Sequence, residues 1–324
     1  MKSLSSSGHP LQDLRRFGAD LFELSPTRET TTSAGDSIAT PTLSQAQAYC
    51  RSLASRHYEN FTVVSWFLPR QIRTHFYSIY AYCRWADDLA DEAGSAGGSL
   101  LTQWQSQLER TYTDAPLKNP VFIALRETIR LFDIPPKPFT DLLSAFQQDQ
   151  TTTRYATRSE LLDYCARSAN PVGRLILYLA RTTDVESLRQ SDAICTGLQL
   201  ANFWQDVSND WHERQRIYLP AEDLQRFPGS EAAIQSGHAT PEFRELILSE
   251  AAWAESFFQA GQPLCSRVPR AFRRQIRLFH DGGMAILAAI RRQHGDVLYR
   301  RPKLSAWQKL RLMLNVLTLS GNRD

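Results

Sequence analysis

Gln199-Leu-Ala-Asn202-Phe-Trp-Gln205-Asp206-Val-Ser-Asn-Asp210 is the stretch that decides the fold of this chain. Its polar residues Gln199, Asn202, Asp206 and Asp210 follow spacings of three, four and four, so as an α-helix they share one face over three turns. Around them stand Leu198, Leu200, Phe203, Trp204 and Val207, apolar enough to bury the rest of the helix. A polar stripe on a helix otherwise fit for burial is costly unless something pairs with it. The partner is either a structural polar network within a helical bundle or a bound, charge-rich ligand.

A second acidic pair lies upstream, in Tyr80-Ala-Tyr-Cys-Arg84-Trp-Ala-Asp87-Asp88-Leu-Ala-Asp91-Glu92, where Asp87 and Asp91 repeat the helical spacing. Each pair points two carboxylates from one helix face, the hard oxygen donors that Mg²⁺ prefers. Arg84, three residues before Asp87, shares its face, whereas Asp88 points about 100° away. A cation beside metal-binding carboxylates suits an anion that must be clamped there too. Taken alone, the first pair reads as a solvated acidic surface with an Arg salt bridge. Two such pairs together suit the binding of an organic diphosphate and its removal as a leaving group. Arg214 and Arg216, ahead of Ile217-Tyr218-Leu219-Pro220, add cations just after the second pair.

The rest of the chain agrees with an enzyme. At 324 residues and 42% hydrophobic content it can bury a large core, and no break in composition divides its middle. The expected organisation is a flexible tail over 1–40, one domain over 41–305 and an amphipathic C-terminal helix over 306–324. A net charge of +3 is too mild for a dedicated nucleic-acid protein, and no recognition motif for one is present. Five scattered cysteines without a C-x-x-C pattern fit a reduced, cytoplasmic setting and no zinc site. Neither a secretory leader nor an 18-residue apolar run is visible, so any contact with lipid is expected at the inner membrane surface.

Strand signals are nearly absent. Apolar residues at three-to-four spacing recur instead in 72–89, 121–131, 139–147, 160–181, 188–207, 242–258, 274–290 and 306–318, and Thr42 or Ser44 caps a further run over Gln45–Leu53. The fold class is therefore all-α, a bundle of roughly eight to twelve helices. Pro171 should kink the helix that contains it, and Gly173 and Gly282-Gly283 read as close-packing points or as room for a ligand.

These motifs resemble those of the squalene/phytoene synthase family of head-to-head prenyl synthases. The resemblance rests on Tyr80–Asp91, Gln199–Asp210 and Arg216-Ile-Tyr218-Leu219-Pro220, with support from Asn60-Phe61, Leu68-Pro69, Tyr164-Cys165 and Pro171-Val172-Gly173. It spans about residues 45–305. Two stretches, His57-Tyr58-Glu59-Asn60-Phe61 and Asn202–Asp206, look most like those of bacterial hydroxysqualene synthases of hopanoid pathways. The resemblance implies the isoprenoid-synthase helical bundle around a central cavity, with Mg²⁺ held by Asp87, Asp91, Asn202, Asp206 and Asp210. It implies Arg84 on diphosphate oxygens, Gln199 lining the second site, and Tyr164 beside the reacting carbons. Asn60, Phe61, Gln205, Arg216 and a C-terminal cation, Arg301 or Arg300, complete the expected substrate contacts. As partners it implies a prenyl diphosphate substrate, an enzyme supplying presqualene diphosphate, and a reductase downstream.

One departure matters. Condensing members of the family usually carry Arg immediately before the second Asp pair, and here the residue is Gln205. Fewer cations suit one diphosphate rather than two. The expected reaction is loss of diphosphate from presqualene diphosphate, rearrangement of the cation, and capture by water directed by Tyr164 or Gln205. Phe61, Trp66, Tyr80 and Phe203 are candidate aromatic faces for that cation. The rival enzyme reading is a synthase joining two prenyl diphosphates; a catalytically silent relative should have lost metal carboxylates, and all four stand. The basic stretch Arg300–Leu312, with Trp307, reads either as a helix lying on anionic lipid or as a terminal helix packed on the bundle.

Overall fold

The computed structural model describes residues 40–56, 68–92, 97–305, 307–308 and 311–312, with backbone alone at Asp91 and Glu92. The expectations placed on Asn60, Phe61 and Trp66, on the 1–39 tail and on most of 306–324 lie outside the described residues. Among those described, every regular element is a helix. They fall into two compact units, divided between Gln150 and Thr151.

The first unit holds α1 (Leu43–Arg56), α2 (Arg70–Glu92), α3 (Gly97–Thr111), α4 (Pro120–Phe132) and α5 (Lys137–Gln148). Thr42 starts α1 by a reciprocal cap: its Oγ1 accepts from the Gln45 amide while Gln45 Oε1 accepts from the Thr42 amide. Along α2, Phe76, Ile79, Tyr82, Trp85, Ala86 and Leu89 recur at three-to-four spacing and are all buried. The Trp85 and Trp104 rings stack 5.3 Å apart, and Phe122 closes on Trp104 at 4.4 Å. Each fully buried Leu or Phe side chain contributes about 1.5–3 kcal/mol, so this knot fixes how α2 presents its polar face. Gly97 and Gly98 read as a break in the sequence, yet both lie in the first turn of helix α3.

The second unit comprises α6 (Arg158–Ser168), α7 (Asn170–Leu179), α8 (Val185–Arg214), α9 (Ala221–Arg226), α10 (Ser230–Ser236), α11 (Pro241–Gly261), α12 (Leu264–Arg267) and α13 (Arg270–Arg292). The kink expected at Pro171 is a full break at Ala169. Pro171 then sits in the first turn of α7, where a missing N–H costs nothing. Helix α8, about 45 Å long at 1.5 Å per residue, is the spine against which α7, α11 and α13 pack. Asp184 caps its start by accepting from the Ser187 amide, and Gln215 ends it in a left-handed conformation. Two glycines are close-packing points: a Cβ on Gly173 would meet Ser191 Oγ at 2.4 Å, and one on Gly283 would meet Phe258 at 2.2 Å.

Candidate active site

In the first unit α2 carries Arg84, Asp87 and Asp91. Arg84 Nη2 lies 2.5 Å from Asp88 and Nη1 lies 3.7 Å from Asp87, so its tighter partner is the carboxylate one helical turn on. The reason is burial. Asp88 is 1% exposed and a buried carboxylate demands a counter-ion, whereas the Asp87 side chain keeps 43% of its surface. Arg84 is thus a charge shared between the two, leaving Asp87 the more open of the pair.

In the second unit the polar stripe of α8 is where the sequence put it. Asn202 is exposed and Gln199, Asp206 and Asp210 are half-buried, while Leu200, Phe203, Trp204 and Val207 face the core. Burial and the charge of Asp206 push the Asp210 carboxyl up to about 7, against a downward pull from Arg214 and Arg216. Asp206 is neutralised differently. The guanidinium of Arg301 grips both its oxygens, with Nη2 at 2.7 Å from Oδ2 and Nε on Oδ1. The neighbouring residue of the same strap, Pro302, accepts a hydrogen bond of 2.5 Å from Gln205 Nε2. Of the two C-terminal cations considered, Arg301 is the one at the acidic pair.

Beside this stripe lies a group of rings. Phe203 and Tyr218 stack with centroids 3.8 Å apart, and Tyr164 stands 6.2 Å from Phe203 and 5.5 Å from Tyr155. Arg216, 9% exposed, donates from Nη1 to the Tyr218 hydroxyl at 3.3 Å, and its own amide donates to the carbonyl of Asp210. Tyr155 and Tyr218 join this group without a signal in the sequence. They arrive through extended backbone, where Ile217 and Ala221 donate to the carbonyls of Thr153 and Tyr155. Such pairing leaves no helical period to read.

These residues fit Mg²⁺. All the donors are hard oxygens, and the ionisation of Asp210 is opposed until a cation arrives. Among the described residues no three His, Cys, Asp or Glu side chains gather as a ready cage. Mg²⁺ commonly takes one or two carboxylates and fills its shell with water and substrate phosphates, so paired aspartates suffice. All five cysteines are free, so no disulfide or thiolate competes for this role.

Comparison with known proteins gives a consistent picture. The family model for squalene/phytoene synthase matches residues 54–308. The chain is similar to a hydroxysqualene synthase of Sinorhizobium fredii, 32% identical over 67% of this chain and 74% of that protein. It is also similar to a phytoene synthase of Arthrospira platensis, 28% identical over 83% of this chain and 91% of that one. Among solved structures it resembles squalene synthase HpnC from Alicyclobacillus acidocaldarius, at 43% identity and a TM-score of 0.74, over 78% of this chain and 95% of that one.

Proposed function

Because the chain belongs to the squalene/phytoene synthase family, we propose that it is a hydroxysqualene synthase, converting presqualene diphosphate and water into hydroxysqualene and diphosphate. Gln205 carries this reading. The position that usually holds an additional cation in condensing relatives holds a neutral amide here, and that amide is engaged with the Pro302 carbonyl. Hydroxysqualene synthases at 30% and 32% identity support the same choice.

Asp87, Asp91, Asn202, Asp206 and Asp210 would hold Mg²⁺, whose charge offsets that building on the departing diphosphate. Arg84, Arg216 and Arg301 would bind diphosphate oxygens, with Asn60 and Gln199 as polar neighbours, so charge separates where compensation is already in place. The carbocation left behind needs faces that attract it without bonding to it. The Tyr155, Tyr164, Phe203 and Tyr218 rings supply such faces in the second unit, and Phe61 is assigned the same task. Water then adds its oxygen to the cation and gives up one proton to solvent. One Gln205 N–H donates to the Pro302 carbonyl, and the task of aiming that water is assigned to Tyr164, with the Gln205 amide as the alternative.

The test is product analysis of the pure enzyme with Mg²⁺ and presqualene diphosphate, no reductant present. Hydroxysqualene should be the main product, and chelation of the metal should abolish its formation. A second reading, condensation of two prenyl diphosphates, is favoured by the similarity to phytoene synthase across most of the chain. Incubation with farnesyl or geranylgeranyl diphosphate alone decides between them: squalene, dehydrosqualene or phytoene appearing there would replace the first reading.

A further inference from the structure

The strap that brings Arg301 to α8 also places cations on its outer side. A cleft of about 520 Å³ lies between the C-terminal end of α13 and the strap, lined by Arg292, Gln293, Arg300, Lys303, Ser305 and Gln308. Its size falls in the range of roughly 300–1,000 Å³ typical of small-ligand sites. Three of these residues are cationic and none is acidic. Among the described residues none of the three cations has an ion-pair partner. Among the described residues, Asp296 of the adjoining cleft is already paired with Arg244, and Asp206 beside the strap with Arg301. Three like charges around one cleft repel one another, and an anion with several oxygens relieves that repulsion.

We propose that this cleft binds the phosphate of an anionic glycerophospholipid and so docks the protein on a membrane surface. The aromatic residues beside it select the lipid over a free phosphate. Tyr299 is 88% exposed and lines an adjoining smaller cleft that shares Arg300. Trp307 is 79% exposed and immediately precedes Gln308 of the lining. Water-exposed Tyr and Trp beside cations are what a bilayer interface accepts, because the ring enters the headgroup layer while its polar edge stays wet. Anchoring is built in. Arg301 and Pro302 fix the strap to α8, which holds Arg300 and Lys303 on either side in place. Among the described residues no helix is long and apolar enough to cross a membrane, so attachment by this route would be superficial.

The experiment is co-sedimentation of the full chain with vesicles of phosphatidylcholine alone or mixed with phosphatidylglycerol; it requires no substrate and stands apart from the catalytic reading. Wild type should bind the anionic vesicles, release as salt rises, and ignore phosphatidylcholine. R292Q/K303Q should weaken binding by about fivefold for each charge removed, W307A should weaken it as well, and charge-conserving R292K/K303R should retain it. Equal binding by R292Q/K303Q, or equal binding to neutral vesicles, overturns the proposal. So does a wild type that ignores vesicles yet takes up inorganic phosphate in calorimetry, lost in R292Q/K303Q, which makes the cleft a soluble-phosphate site.

Discussion

At the scale of single residues, Asp206 and Arg301 make the most exacting contact. A guanidinium on both oxygens of Asp206 must yield before a divalent cation can take its place, so under the proposed metal site Arg301 would compete with Mg²⁺ in the absence of substrate. With 40% of the Arg301 side chain exposed, that competition is modest, on the order of 1 kcal/mol or severalfold in affinity. Arg301→Gln should therefore tighten substrate-free Mn²⁺ binding severalfold in a spin-resonance titration, and lower turnover through loss of the diphosphate contact proposed for this cation. Asp206→Asn should weaken Mn²⁺ instead; unchanged affinity in both variants would remove Asp206 from the metal site. Gln205 is legible at this scale only in part. Its neutrality is plain from sequence, but its bond to a carbonyl far along the chain is not.

At the scale of elements, the packing around α8 sets what its polar stripe can do. Gly283 lets α13 approach α11 so closely that any side chain would run into Phe258. Gly283→Ala should cost about 1–3 kcal/mol and lower Tm by several degrees, read by calorimetry. A second element-level feature is the charged junction of α6, α9 and α11. Arg158 donates to Asp223 at 2.8 Å and to Glu250 at 2.7 Å, and it lies over the Trp253 ring. Burial pushes the Glu250 carboxyl up to about 7 from the usual 4.5. The folded chain thus holds this proton more tightly than the unfolded one. Stability from Glu250 is fully present below about pH 4.5 and drains away as pH rises towards 7. Glu250→Gln carries no titrating proton, so its Tm should vary less than that of wild type between pH 5 and 7. Parallel Tm curves would exclude Glu250 as the source.

At the scale of the whole molecule, the family follows from motifs spread along most of the chain, and the matched span of 54–308 takes in most of each unit. Chemistry within that family turns on fewer residues. If hydroxysqualene is the product, the decisive difference from condensing relatives is the loss of one positive charge at Gln205 rather than any change of architecture. The membrane proposal belongs to this scale as well, since an apolar product made at a lipid surface need not cross water.

Periodicity was enough to establish that this chain is helical, that α8 has one polar and one apolar face, and that two aspartate pairs stand on such faces. Those are properties of neighbours three and four residues apart, which a linear text records directly. Tertiary structure alone decided that burial of Asp88 gives it the tighter hold on Arg84 over the equally local Asp87, that Arg301 rather than Arg300 grips Asp206, and that Tyr155 and Tyr218 join Tyr164 and Phe203. Each of these depends on where burial leaves a charge needing a partner, or on extended backbone meeting a helix. The contacts of Arg301, Tyr155 and Tyr218 join residues distant along the chain and have no period for a sequence to display.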